Sequence, residues 1–372
     1  LADSIHIVCF NAPAPADYGG VVDVYAKVKA LAALGLSIKL HYFQYQEGRG
    51  HAGLEPFCAA IYAYPRKSYR QCLASSLPYI VSSRINKDLI SRLNEDQDPM
   101  LVEGIHCTGI LPYLAKDRSL VLRLHNNEAA YYRQLAHSEI NPVRNLYYTT
   151  EANRLDRYQQ KLSHQLKVAA ISAAEQEYFT NRMGWNGVQW VPAFTPWQQA
   201  QFRSYAEPYC LYHGDLSVAA NATTAKWLAN NVFEDGAAHL VVAGRNPPKG
   251  LVSEMEADHN CTIIANPTEA YLEQLIGKAQ VNLVPALHPS GVKLKLLHAL
   301  FRGRHVVANA AAVSGSGLQE AVHLAEDVAA FKQQIGALMQ QPFGPREIKE
   351  RAQWLAQYDT AVNAQKLATM LF

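Results

Sequence analysis

The sequence predicts an α/β protein built of two parallel-sheet domains, and three observations carry that prediction. The opening residues run strand, Gly-rich loop, helix, strand, which is the start of a βαβ unit. From Val191 to Pro208 the chain holds three prolines and no clean period, which suits a crossing between domains. After it the same βα rhythm restarts, and no solenoid period runs through either half. A chain of 372 residues is about right for two domains, and its 49% apolar content supports two cores. The expected boundaries are 1–195 for the first domain, 205–345 for the second, and 346–372 for a helical tail packing back toward the first.

Taken in order, IHIVCF (5–10) is a short apolar strand, NAPAPADYGG a loop, and Val21 to Leu34 a helix closed by Gly35. SIKLHYF and AAIYAY (59–64) read as strands, 77–93 as a helix, and MLVEGI (100–105) and SLVLRLH (119–125) as strands. A tyrosine-rich helical stretch covers 128–165. KVAAIS (167–172) is a strand, and Ser172 opens a helix. In the second half YCLYHG, AHLVVAG, CTIIAN, QVNLVPA and HVVAN (305–309) are strands, with helices over NATTAKWLANNVF and TEAYLEQLIGKA. The tail from Pro345 is amphipathic.

Composition excludes several classes. With 18% charged residues the chain is not disordered, and a net charge of +2 gives no argument for nucleic acid. Residues 1–205 carry 21 Lys and Arg against 17 Asp and Glu, a mild excess that would suit peripheral contact with an anionic membrane. No apolar run approaches a membrane span, and LADSIHIVCF lacks the basic start of a secretory leader. The six Cys are widely spaced and never C-x-x-C, so reduced thiols in a cytoplasmic protein, with no metal, are the expectation.

In open parallel sheets ligands sit beyond the carboxyl ends of strands, so the loops there hold the candidates. Gly19 and Gly20 follow the first strand and permit close backbone approach, or simply make a tight turn. They form neither G-x-G-x-x-G nor a Walker loop. RLHNNE (123–128) ends a strand with His125, Asn126, Asn127 and Glu128, and EGIH (103–106) ends its predecessor with Glu103 and His106. These are candidates for catalysis and acceptor contact; a buried polar network is the plainer alternative. HGDLS (213–217) brings Gly214, AGRNPPKG (243–250) brings Arg245 and Lys249, and Asn266 ends a further strand where a nucleobase edge could lie. HPSGVKLKLLHALFRGRHVV (288–307) places Ser290, Gly291 and Val292 before a helix bearing Lys293 and Lys295 in its first turns. Helix dipole, N–H groups and ammoniums there all favour an anion, phosphate above all. The tyrosines of 128–165 read as helix packing rather than as a stacking platform.

In this order the residues resemble a GT-B nucleotide-sugar glycosyltransferase, of the large retaining group that includes many bacterial mannosyl- and glucosyltransferases. The resemblance covers nearly the whole chain and is strongest over 120–180 and 210–315. It implies two Rossmann-like domains facing a cleft, the first for acceptor and the second for donor, in polysaccharide biosynthesis at the inner face of the membrane. It places Gly19 and Gly20 near the donor phosphates, His125 at the reacting sugar, and Arg245 and Lys295, with Lys249, on the diphosphate. It places Ser290 to Val292 as backbone donors to the phosphates. It implies no cofactor beyond the donor, a UDP or GDP sugar, and a glycan or lipid-linked acceptor. Members commonly carry two glutamates eight positions apart around this helix, the second on the ribose; here Ser290 and His298 stand in those places. The configuration is retained if the departing phosphate takes the acceptor proton, and inverted if Glu103, Glu128 or Asp17 is the base. An epimerase using the same fold, a non-catalytic relative that binds a nucleotide sugar or glycan or supports a partner transferase, and an unrelated two-lobed binding protein remain alternatives.

Overall fold

Thirteen short strands, most of them apolar, form two separate sheets in the computed structural model, which describes residues 3–162, 166–203, 205–257, 259–289 and 291–372. The chain divides into one unit of Leu1–Pro196 with Tyr358–Phe372 and another of Trp197–Gln357.

The first unit runs β1 (Ser4–Cys9), α1 (Gly19–Ala33), β2 (Ser37–Gln44), β3 (Ala60–Pro65), α2 (Tyr79–Ser82), α3 (Lys87–Leu93), β4 (Met100–Glu103) and β5 (Leu120–Leu124). It continues with α4 (Glu128–Ser138), α5 (Pro142–Lys161), β6 (Lys167–Ala170), α6 (Ala173–Glu177) and β7 (Val188–Trp190). All strand pairs are parallel, in the order β3-β2-β1-β4-β5-β6-β7. Alternate residues of a strand face opposite sides. Ile5, Ile7 and Cys9 therefore join the core under α1, while Val8 packs with Val102, Leu122 and Trp185 on the other face.

The second unit runs β8 (Glu207–Asp215), α7 (Ala219–Trp227), β9 (His239–Arg245), α8 (Lys249–Glu256), β10 (Cys261–Ala265), α9 (Glu269–Lys278) and β11 (Ala279–Val284). It continues with α10 (Leu294–Arg302), β12 (His305–Ala308), α11 (Ala310–Val313), β13 (His323–Leu324), α12 (Val328–Gln340) and α13 (Pro345–Leu355). Its parallel order is β10-β9-β8-β11-β12-β13. The chain then returns to the first unit, where α14 (Thr360–Leu371) packs Leu367 and Leu371 into the α1 core.

Several expectations change in detail. The helix read over 77–93 is two, because Arg84 turns inward onto the Ile80 and Phe10 carbonyls and Asn86 caps a fresh start. The stretch 128–165 is also two helices, since Asn141 caps α5 with Pro142 at its first position; residues 163–165 lie outside the described ones. The strands read over 100–105 and 167–172 end early, at Glu103 and Ala170. Helix α10 starts at Leu294, so Lys293 is its cap rather than a member of its first turn. The tail read as one segment from 346 divides, α13 lying in the second unit and α14 in the first. No disulfide joins the described cysteines, and all but the half-buried Cys58 are buried.

In both sheets the strand order reverses beside the first strand of the unit, β1 with β4 and β8 with β11. Such switch points open a crevice beyond the strand ends where ligands bind.

Candidate functional site

At the switch point of the first sheet, buried charges meet from three elements. Asp23 and Lys27 lie one turn apart on α1 among the buried Val24, Val28 and Leu31. Lys27 Nζ donates to Glu103 Oε1 at 2.7 Å and Oε2 at 2.9 Å, and lies 2.8 Å from Asp23 Oδ2. Arg123 Nη2 donates to Asp23 Oδ1 at 3.0 Å, and the same guanidinium reaches the Val191 and Pro192 carbonyls after β7. His125 Nε2 stands 2.6 Å from Glu103 Oε2, with its Nδ1 3.7 Å from Asp23 Oδ2. Glu103 is wholly buried; burial alone would raise its carboxyl, but Lys27 and the His125 hydrogen bond outweigh that and hold it low. Asp23 is likewise held low against burial, by Arg123 and Lys27. Two carboxylates balance two cations here, which is what lets the group persist without water. Asp23, Glu103 and His125 have donor atoms close enough to hold a cation, and the Lys27 ammonium is bonded to both carboxylates.

Only His125 of this group approaches the surface. Phe10, just after β1, packs edge-on to its ring at 5.4 Å and stacks on His106 at 4.9 Å. Burial, then Arg84, keeps His106 neutral, far below its ordinary value. Gly20 belongs to this packing, since a Cβ on it would stand 2.9 Å from the Phe10 ring, whereas one on Gly19 would meet nothing. Asn127 caps α4 by accepting from Ala130 N at 3.1 Å, and Asn126 is half-buried beside it. Glu128 opens α4, and burial with the neighbouring Glu175 pushes its carboxyl up to about 8. Burial pushes Glu175 up to about 7, although its Oε2 accepts from Ser172 Oγ at 3.1 Å.

At the switch point of the second sheet, Lys295 Nζ donates to Tyr212 Oη and Asn221 Oδ1, both at 3.3 Å, and lies 4.8 Å over the Tyr212 ring. Both acceptors are neutral. Burial pulls Lys293 down to about 8, and burial with Lys293 does the same to Lys295. Gly291 precedes them at φ 61°, in the left-handed region, with Val292 half-buried after it; Ser290 lies outside the described residues. His213 and Gly214 lie just before the end of β8. His213 is buried with no hydrogen-bond partner on Nε2, and burial, His298 and Lys295 keep it neutral.

Arg245 ends β9 and pairs with Asp215 at 3.4 Å. Asn266 is exposed in the left-handed region at φ 51°, and its Oδ1 accepts from Asn246 N at 2.7 Å. Lys249 is the exposed first residue of α8. His298 projects from α10 onto Trp197, with ring centroids 4.4 Å apart, and its Nε2 lies 3.1 Å from Glu273 Oε1 on α9. Trp197 Nε1 and Arg302 Nε donate to the same carboxylate, which His298 first of all helps to hold down at about 2.

Sequence reasoning did not single out Asp23, Lys27, Arg123, Glu175, Tyr212, Asn221 or Glu273. A signal existed for the first two: a charged pair one turn apart inside the apolar run VVDVYAKVK. For the others there was none, because their partners come from other elements, such as Asp23 of α1 for Arg123 and His298 of α10 for Glu273.

Residues 207–341 match the family described as Glycosyl transferases group 1. A protein of Klebsiella pneumoniae described as an uncharacterized 44.6 kDa protein in the cps region is 26% identical over 369 residues, covering 92% of this chain and 93% of that one. The fold is similar to that of sucrose-phosphate synthase from Thermosynechococcus elongatus, with TM-score 0.69, 16% identity, and 99% and 98% of the two chains covered. It is also similar to HepE of Anabaena, solved in complex with UDP and glucose, with TM-score 0.65, 12% identity, and 100% and 99% covered. The chain thus has the two-sheet fold of GT-B glycosyltransferases and carries a Glycosyl transferases group 1 domain in its second unit, which together support a glycosyltransferase.

Proposed function

We propose that this protein transfers a hexosyl group from a nucleoside-diphosphate sugar to a hydroxyl of a glycan or lipid-linked acceptor in polysaccharide biosynthesis in the cytoplasm, with retention and without a metal. The observation that carries the reading is Lys295. A half-buried ammonium is held at a switch point by neutral acceptors, beside a second lysine, where the first N–H groups of α10 have no acceptor within the helix. An arriving diphosphate brings negative charge to Lys295, whose two hydrogen-bond acceptors are neutral, and restores its ordinary basicity. As the bond between sugar and diphosphate breaks, charge develops on the leaving oxygen, and Lys295 with Arg245 stabilises it. UDP is the favoured donor base, supported by the complex of HepE with UDP and glucose.

His125 is the residue proposed to touch the reacting sugar, with Glu103, Lys27 and Asp23 positioning it from beneath. Glu103 is sealed under Lys27, Glu128 is held protonated near neutrality, and Asp17 is paired with Arg49 at 2.9 Å, so none of the three is suited to remove a proton from the acceptor. That favours retention, with the departing phosphate as base. A non-catalytic relative is the second reading, and it rests on Ser290 and His298 standing where glutamates are usual.

The test is calorimetry with UDP, GDP, ADP and their sugar conjugates on wild type and Lys295→Ala. A hundredfold excess of ligand over Kd stabilises by about 2.7 kcal/mol, a readily measured thermal shift. Selective binding of one nucleotide, weakened at least about tenfold in Lys295→Ala, is expected from a charge-assisted contact. Absence of any nucleotide binding refutes the diphosphate site. Tight binding without turnover across an acceptor panel selects the non-catalytic relative.

A further inference from the structure

Phe10, Tyr45 and Arg66 are the first residues after β1, β2 and β3, three neighbouring strands of the first sheet. Arg84, just after α2, reaches in among them and is 3% exposed. Its Nε donates to Phe10 O at 2.8 Å and its Nη1 to Ile80 O at 2.7 Å. Lys67 N donates to Ser83 O at 2.9 Å, which fixes Arg66 beside the same turn. The two guanidiniums then share two groups. Arg66 Nε and Arg84 Nη1 reach Ser83 Oγ at 3.3 and 3.4 Å, and the guanidinium carbons lie 4.6 and 5.8 Å from the centre of the Tyr45 ring.

Among the described residues neither arginine pairs with a carboxylate. Glu128, whose carboxyl feels Arg84, is itself held up at about 8. Burial first, and then Arg66, pulls Arg84 below its ordinary basicity. Nη2 of Arg84 and both Nη groups of Arg66 donate to nothing among the described residues, and none of them is sealed from the surface. Shaping the turn after α2 needs Arg84 alone. Arg66 brings a second positive charge to the same hydroxyl and ring, a repulsion that a bound anion would offset.

We propose that Arg66 and Arg84 form a subsite for an oxyanion carried by the acceptor sugar, a carboxylate or a phosphate ester. Planar guanidinium edges suit two-point contact with either group, and Tyr45 holds both side chains through its ring. Position assigns the anion to the acceptor rather than the donor. Phe10, whose carbonyl fixes Arg84, packs edge-on to His125 at 5.4 Å, whereas Lys295 and Arg245 belong to the other unit. That the ligand is an acceptor rests on the sugar-transfer reading; the preference for an anion does not.

The test is NMR titration of the full chain with methyl glucuronoside, glucose 6-phosphate and methyl glucoside. Four proteins are compared: wild type, Arg66→Gln, Arg84→Lys, and Arg144→Gln, which removes a charge from the exposed start of α5. Circular dichroism melting checks folding, and Arg66→Gln decides alone if Arg84→Lys does not fold. Wild type is expected to bind one or both anionic sugars at least about tenfold more tightly than the neutral one, and which of the two names the oxyanion. Arg66→Gln and Arg84→Lys should lose that preference and Arg144→Gln keep it. Wild type without the preference, or Arg66→Gln that retains it, overturns the subsite. UDP titrated into the same proteins separates the two readings. UDP binding without anion preference refutes the subsite alone, and anion preference without any nucleotide binding refutes the sugar-transfer reading alone.

Discussion

Lys27 has no exposed surface, yet its ammonium holds two carboxylates at once. Replacing it by Met leaves Asp23 and Glu103 buried with one cation fewer. Lys27→Met is therefore expected to cost about 3–5 kcal/mol, read as a lowered urea midpoint of the first unit. Glu128 and Glu175 behave in the opposite sense. Their carboxyls are raised in the fold to about 8 and about 7, from an ordinary 4.5. The folded state therefore binds more protons than the unfolded chain between these limits. Their contribution to stability is complete below pH 4.5 and is lost as the pH rises through 7 and 8. Thermal midpoints should fall across that window in wild type and stay flatter in Glu128→Gln with Glu175→Gln. At this scale the sequence displayed the strand-end residues His125, Glu103 and Glu128, since a strand end is a local feature. It did not display Glu175 as the partner of Glu128, because the helices that present the two carboxyls follow different strands.

At the scale of elements, β8 and β9 approach closely at Gly214 and Gly244, which face each other in register. A Cβ on Gly244 would lie 2.1 Å from the Gly214 carbonyl oxygen and 2.8 Å from Leu216 Cγ. Backbone cannot yield as a side chain does, so Gly244→Ala should part the strands just before Arg245, at a cost of about 3 kcal/mol. Nucleotide affinity is expected to fall with stability, and urea titration together with calorimetry checks both. The sequence located most strands and the start of each unit, because apolar runs bounded by turn residues are read locally. It misjudged where helices break. Asn86 and Asn141 serve as caps, and the inward turn of Arg84 ends α2, a contact made with Phe10 on another element. Helices α8 and α12 and strands β7 and β13 were not anticipated. The two strands are only 3 and 2 residues long, too short for a periodic signal.

For the whole molecule, the chain leaves the first unit at Pro196 and returns at Tyr358. Helix α14 is fixed there by Leu367 and Leu371 in the core, by Ser119 Oγ donating to Leu371 O at 2.6 Å, and by Lys167 Nζ donating to Met370 O at 2.8 Å. Leu367→Ala should destabilise the first unit by about 2–5 kcal/mol. Nucleotide affinity should stay unchanged, because Lys295, Arg245 and their partners belong to the other unit. Calorimetric melting with and without UDP separates the two effects.

By itself, the sequence determined the α/β class, the two-domain organisation and the placing of Gly214 and Arg245 at strand ends and of Lys293 and Lys295 at the start of a helix. Each of these follows from local periodicity and turn chemistry. The strand ends already suggested that Glu103 and His125 lie side by side, but only the tertiary structure decided that Asp23, Lys27 and Arg123 join them in one buried charge network, and that Glu273 meets His298. The physical reason is that such contacts join residues from separate strands and helices, and their energy depends on burial and mutual distance, neither of which is encoded at any one position.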